Sequence, residues 1–182
     1  MSSERERMLR GELYDASDPE LVAARRHARR LLARYNADPD AVLLRELLGD
    51  VGLDAVVEPP FHCDYGENVA VGERFYANAG CVLLDCAPIT LGDRVLLGPG
   101  VHLYAATHPV DAETRRRNLE YARPITIGDD VWIGGSAVVL PGVTIGDRAV
   151  IGAGSVVTSN VPADVVAAGN PCLPLRELEA IP

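Results

Sequence analysis

Lysine is missing altogether: all 17 basic residues among the 182 are arginines. That absence excludes Schiff-base chemistry, a phosphate-loop lysine and a lysine general base. Aromatic residues make up only 5% of the chain, so a core must be filled by small and branched aliphatics. No apolar run approaches the roughly 18 residues that a membrane-spanning helix needs. Positive charge is short, with 26 acidic against 17 basic residues and a formal net charge of -9. Nucleic acid and anionic membranes are therefore poor partners, because both require a basic face. The four cysteines, Cys63, Cys81, Cys86 and Cys172, form no CxxC pair and read as reduced thiols. The segment from Met1 to Arg10 is charged and lacks the apolar stretch of a secretory signal, so a cytoplasmic location is expected.

What is present divides in two. The first fifty or so residues carry helical signals. Asp18-Pro19-Glu20 supplies an N-cap, a proline for the first helical position and an acid for the first turn. Leu21, Ala24, Ala28, Leu31, Leu32 and Tyr35 then recur at spacings of three and four, the mark of one helix face. Arg25, Arg26, Arg29 and Arg30 read as its solvated face. Asn36-Ala37-Asp38-Pro39 breaks this helix and caps a second one, which stops at Gly49.

After Glu58-Pro59-Pro60 a period of six replaces the helical spacing. Ile127, Ile133, Val139, Ile145, Ile151 and Val157 each follow the last by six residues, with a small or aliphatic residue two positions before each. The same phase holds at Leu91, Leu97 and Leu103. An earlier block, Val71, Ala77 and Leu83, keeps the period but is offset by two, which implies an insertion near Ala87-Pro88. A six-residue aliphatic repeat is the signature of a β-solenoid, a parallel β-helix of hexapeptide repeats in which three hexapeptides close one triangular coil. The expected organisation is a small α-helical N-terminal segment, residues 1–57, and a β-helix over residues 58–182. The polar stretch at about 105–123, with its run Arg115-Arg116-Arg117, reads as a solvated loop thrown out of the coil. The Pro-rich stretch from Asn170 to Leu175 reads as a cap.

These words together resemble the maltose and galactoside O-acetyltransferases over nearly the whole chain. The matching segments are Met8-Leu9-Arg10-Gly11-Glu12-Leu13-Tyr14, Pro59-Pro60-Phe61-His62-Cys63-Asp64-Tyr65-Gly66, Phe75-Tyr76-Ala77-Asn78, Leu84-Asp85-Cys86, Ala106-Thr107-His108-Pro109, Val131-Trp132-Ile133-Gly134-Gly135 and Ala168-Gly169-Asn170-Pro171. The resemblance implies a left-handed coil, a homotrimer, and direct transfer of an acetyl group from acetyl-CoA to a sugar hydroxyl, with no metal. It assigns His108 as the general base, a role suited to imidazole at neutral pH. It places Asp64, Tyr76 and Asn78 at the acceptor, with Asp85 a further candidate, either binding the sugar hydroxyls or supporting the histidine. Gly134 and Gly135 would supply backbone N–H groups to the thioester oxyanion. Ala153, Thr158, Ser159 and Arg176 would lie along the CoA. Galactoside-specific relatives carry a second acid where this chain has Cys86, which tilts the acceptor toward maltose- or glucose-like sugars. Basic residues that the relatives use for phosphate are replaced here by Ser159 and Leu173, leaving Arg176. Trp132 is open to two readings, a CoA contact or a packing residue.

Three other readings fit parts of the pattern. A relative could take a non-sugar or amino-sugar acceptor. A γ-class carbonic anhydrase would need His62, His102 and His108 gathered on a zinc ion. A trimeric scaffold without activity would need the repeat alone.

Overall fold

A computed structural model describes residues 2–179; the outermost positions of the two expected segments, 1 and 180–182, lie outside the described residues. The N-terminal segment is helical for the reasons its sequence gives. Helix α1 (Glu4–Leu9) starts at a capping box between Ser3 and Glu6. A short strand, β1 (Tyr14–Asp15), leads to α2 (Pro19–Ala37), whose N-cap Asp18 accepts the Glu20 N–H. The expected face is the buried one, through Leu21, Ala28, Leu31, Leu32 and Tyr35. The second helix, α3 (Ala41–Leu47), is capped by Asp40. Helix α2 is pinned to the solenoid by polar bonds. The Tyr35 hydroxyl donates to the Val57 carbonyl, and Asn36 exchanges two hydrogen bonds of 2.9 Å with the Phe61 backbone.

The solenoid then winds as successive three-strand coils. The first coil is β2 (Asp50–Val51), β3 (Val56–Val57) and β4 (His62–Cys63). It begins before residue 58, so the expected boundary falls inside it. The second coil is β5 (Val69–Val71), β6 (Tyr76–Ala77) and β7 (Val82–Leu84). The third is β8 (Ile89–Leu91), β9 (Leu96–Leu97) and β10 (His102–Tyr104). There the chain leaves the coil through β11 (Ala106–Thr107), α4 (Ala112–Arg116) and β12 (Leu119–Ala122). The stretch expected as a loop is thus folded, because β12 finds antiparallel partners on both sides in β1 and β11. The coil resumes with β13 (Ile125–Ile127), β14 (Trp132–Ile133) and β15 (Val138–Val139), then β16 (Thr144–Ile145), β17 (Val150–Ile151) and β18 (Val156–Val157). It ends in a hairpin of β19 (Val165–Gly169) and β20 (Cys172–Glu177), which places an antiparallel strand at the end of one wall.

Three flat parallel walls result: β2-β5-β8-β13-β16, then β3-β6-β9-β14-β17-β19, then β4-β7-β10-β15-β18. The aliphatic phase positions stack rung on rung inside the prism, as in Val57, Ala77, Leu97, Ile133 and Ile151. The residues two positions earlier, such as Val131, Ala137 and Ala149, are buried with them. Two devices hold the turns of each coil in register. Asp93, Asp129 and Asp147 each accept the backbone N–H of the residue one coil away, at 2.9–3.0 Å. At an adjoining position Arg94 pairs with Asp130 and Arg148 with Asp164, both in two-pronged fashion.

Candidate active site

The rungs show where the repeat slips. Val51, Val71 and Leu91 are 20 positions apart, whereas Ile127 and Ile145 are 18 apart. The two extra residues of each early coil fall at one edge of the prism, where the third wall turns into the first. The first corner carries Asp64 and Tyr65, and the second carries Asp85 and Cys86. The third corner releases the whole β11–α4–β12 excursion, with His108 just beyond β11. Three consecutive coils therefore stack their irregular, chemistry-bearing residues at the same edge.

The excursion is held so that His108 is presented to that edge. Asp111 caps α4 by accepting the Thr114 N–H and hydroxyl. The Arg115 guanidinium donates to the Pro109 and Val110 carbonyls at 2.9 and 3.0 Å, fixing the chain next to the histidine. Arg115 is thereby committed to the loop itself. His108 is more than half exposed, and its Nδ1 lies 4.0 Å from Glu120 Oε1 on β12. The other oxygen of Glu120 accepts the Tyr14 hydroxyl at 3.1 Å.

A cavity of about 320 Å³ opens here, bordered by Arg25, Arg29, Asp64, Cys86, His108 and Glu120. A larger one of about 520 Å³ adjoins it and shares Arg25, His108 and Glu120. Arg25 does not belong to the solvated face that its helix position suggests. Its guanidinium donates to the Tyr65 hydroxyl and to the Ala16 carbonyl, both at 2.6 Å. The Cys86 thiol donates to Asp64 Oδ2 at 3.6 Å. Burial raises the Asp64 carboxyl above the usual range, while the Cys86 bond and the charges of Arg25 and Arg29 pull it back. Burial also pushes the Cys86 thiol up, so it stays protonated and inert as a nucleophile.

Asp85 does not line this cavity. It is fully buried, and its carboxylate accepts the backbone N–H groups of Asp64, Tyr65 and Asn68 at 3.0, 2.8 and 3.3 Å. With its oxygens facing the backbone, Asp85 holds the Asp64 turn in place. Burial outweighs those bonds and pushes its pKa up to about 6.

Tyr76 and Asn78 are not at this edge. They lie on and just after β6, in the second wall, which is the side of the triangle opposite the edge bearing His108. The Asn78 side-chain oxygen Oδ1 accepts the Ala79 N–H at 2.8 Å, a local turn bond. Gly134, Gly135 and Ala153 stack at the edge between the second and third walls. The approach there is close enough that a Cβ on Gly134 would sit 2.5 Å from the Ala153 nitrogen. Thr158 and Ser159 lie at the edge that bears His108, two coils further on, and Arg176 lies on β20. Trp132 stands outward on the second wall and is 53% exposed, so it is not a core residue. His62 and His102 project from the third wall and His108 from the excursion. Among the described residues no group of three His, Cys, Asp or Glu side chains is placed to hold a metal. Sequence reasoning missed Glu120, Arg25 and Tyr14. The slip of two in the repeat was the signal that marked their edge.

A parallel β-solenoid of hexapeptides, with a histidine and a carboxylate at a polar cavity on its edge, defines a hexapeptide-repeat acyltransferase. Residues 7–52 match the maltose acetyltransferase hexapeptide capping motif, and residues 124–159 match the bacterial transferase hexapeptide of six repeats. The chain is 43% identical over 179 residues to the galactoside O-acetyltransferase of Escherichia coli, spanning 95% of this chain and 88% of that one. It superposes with a TM-score of 0.96 and 45% identity on a maltose O-acetyltransferase from Clostridium difficile, covering 98% and 99% of the two chains. A hexapeptide-repeat acetyltransferase from Vibrio cholerae, complexed with acetyl coenzyme A, matches with a TM-score of 0.92 and 43% identity over 98% of this chain and 100% of that one. The chain belongs to the maltose and galactoside O-acetyltransferase family.

Proposed function

We propose that this acetyltransferase moves the acetyl group of acetyl-CoA to a hydroxyl of a maltose- or glucose-like sugar, with His108 as general base. The observation that carries the proposal is the shared edge. Three coils put Asp64, Cys86 and His108 around one cavity, with the Glu120 carboxylate 4.0 Å from the histidine. A sugar hydroxyl is a weak nucleophile at neutral pH, so its proton must leave as it attacks the thioester carbonyl. His108 takes that proton. The oxyanion that forms on the carbonyl oxygen is met by the backbone N–H of Gly135, since that of Gly134 donates to the Ile151 carbonyl at 2.8 Å. Its collapse breaks the C–S bond, and the proton returns from His108 to the departing CoA sulfur. Asp64 accepts hydrogen bonds from neighbouring sugar hydroxyls, and Arg25 borders the same cavity. Arg176 is the cation for CoA phosphate, with Thr158, Ser159 and Ala153 along the arm.

The same reading makes the site a property of a homotrimer. The proposed oxyanion turn and Tyr76 with Asn78 sit away from the His108 edge of their own chain, so the complete site takes them from a neighbouring copy. The outer face of the second wall supports this. Val56, Leu96 and Trp132 form an exposed apolar ladder there, whereas the first wall presents Thr90, Thr126 and Thr144. An apolar wall of this kind suits burial against another subunit. Activity resides in the cytoplasm on this reading.

The test follows thiol release from acetyl-CoA with a panel of sugars. His108→Ala and Asn78→Ala should each lose at least about 100-fold in turnover. Co-refolded mixtures of the two variants should recover part of it, because some interfaces then combine intact halves. Wild-type turnover by His108→Ala would sink the base, and no release with any sugar would sink the acceptor. Mixtures no better than the separate variants would sink the shared site.

A further inference from the structure

We infer that Tyr14, in the N-terminal segment, is a positioning residue for catalysis, the node that ties the general base to the acceptor-binding acid. The inference rests on the reading of His108 as the base.

Tyr14 is a large polar side chain that is only 1% exposed, and a buried hydroxyl demands a partner. It has two. Its hydroxyl donates to Glu120 Oε2 at 3.1 Å, and the Cys86 thiol lies against it. Each partner reaches a different half of the site. Glu120 turns its other oxygen to His108 Nδ1, at 4.0 Å. Cys86 donates to Asp64 Oδ2. One chain of contacts thus runs His108, Glu120, Tyr14, Cys86, Asp64, through the excursion, the N-terminal segment and two corners of the coil, hydrogen-bonded at Tyr14–Glu120 and Cys86–Asp64.

The backbone supports the same arrangement. Tyr14 and Glu120 are direct cross-strand partners in the antiparallel β1–β12 pair, so the N-terminal segment is strapped to the strand that carries Glu120. The segment therefore does more than close the end of the solenoid. It sets the orientation of the carboxylate beside the base. Without the Tyr14 hydroxyl, that carboxylate would be free to rotate away from Nδ1. The imidazole would then lose the group that holds its ring and stabilises its protonated form during transfer. Tyr14 itself stays neutral, since burial raises its phenol well above the usual range.

The test is steady-state kinetics on Tyr14→Phe, Glu120→Gln, the double variant and His108→Ala, with melting curves alongside. Tyr14→Phe removes one oxygen and should lower kcat about tenfold while KM for acetyl-CoA stays within about twofold. Glu120→Gln should do the same or more. The double variant should be no slower than Glu120→Gln, because Tyr14 acts through Glu120. A merely structural tyrosine would lower the melting temperature without that split or that non-additivity. Wild-type kcat in Tyr14→Phe, or losses that multiply in the double variant, would overturn the inference. If Tyr14→Phe does not fold, Glu120→Gln decides alone: unchanged kcat there breaks the chain at its central link. Wild-type turnover by His108→Ala would instead refute the base, a separate failure.

Discussion

Replacing Asp85 separates its two opposing effects, and the magnitudes can be worked from its surroundings. The carboxyl is buried and its pKa stands at about 6 against an ordinary 3.8. At about 1.4 kcal/mol per unit, the ionised group costs roughly 3 kcal/mol at pH 7. Against this, it satisfies three backbone N–H groups, from Asp64, Tyr65 and Asn68. Each would cost about 1–3 kcal/mol if left unpaired. Asp85→Ala removes the charge but strands all three donors, so the net expectation is a loss of about 3 kcal/mol. For a chain of this size that is a fall of roughly 6–12 °C in melting temperature. Asp85→Asn keeps one acceptor oxygen for two of the donors and removes the charge, so it should be near neutral at pH 7. The pH dependence carries the sign. The folded state holds this proton more tightly than the unfolded chain does, so the group favours folding at low pH and that advantage is lost as pH rises through about 6. Between pH 7 and pH 5 the wild type should gain on the order of 1 kcal/mol relative to Asp85→Asn. Thermal melts of the three proteins at both pH values decide it. If Asp85→Ala melts with the wild type, the scaffold role is wrong. If the gap between wild type and Asp85→Asn is the same at both pH values, the buried charge is wrong. Asp85→Ala should also raise KM for the sugar, since the Asp64 turn loses its support.

Two further outcomes probe the solenoid itself. Gly98→Ala should destabilise by about 2–4 kcal/mol in a denaturant titration, because its Cβ would lie 2.6 Å from the Gly135 backbone nitrogen, which cannot give way cheaply. Arg148→Ala should leave the denaturation midpoint nearly unchanged despite its two-pronged contact with Asp164, because both side chains are about half exposed and screened by solvent.

Much of the scaffold was legible in the residues. Asp18-Pro19 set the start of α2, and the face from Leu21 to Tyr35 is the face it buries. The period of six placed the walls, since each strand-and-turn unit repeats its own local geometry. The excursion was legible as a break but not as structure, because β12 is stabilised by strands β1 and β11 rather than by its own pattern. Among site residues, His108 and Asp64 border one cavity, brought there by coils that the repeat stacks. The hold of Asp85 on the backbone was not legible, because a motif records which residue is present and not which way its oxygens face.

The sequence by itself determined the coil: a covalent spacing of six dictates which side chains point inward, whatever lies elsewhere in the chain. It also determined the family, through words carried in short stretches. Only the tertiary structure decided which residues meet. The slips of two that put Asp64, Cys86 and the excursion at one edge act through stacking of successive coils. The pairing of Tyr14 with Glu120 joins residues 106 positions apart in sequence. Tyr76 and Asn78, close in the chain to Cys86, lie on the opposite wall, because every six residues the coil turns a corner.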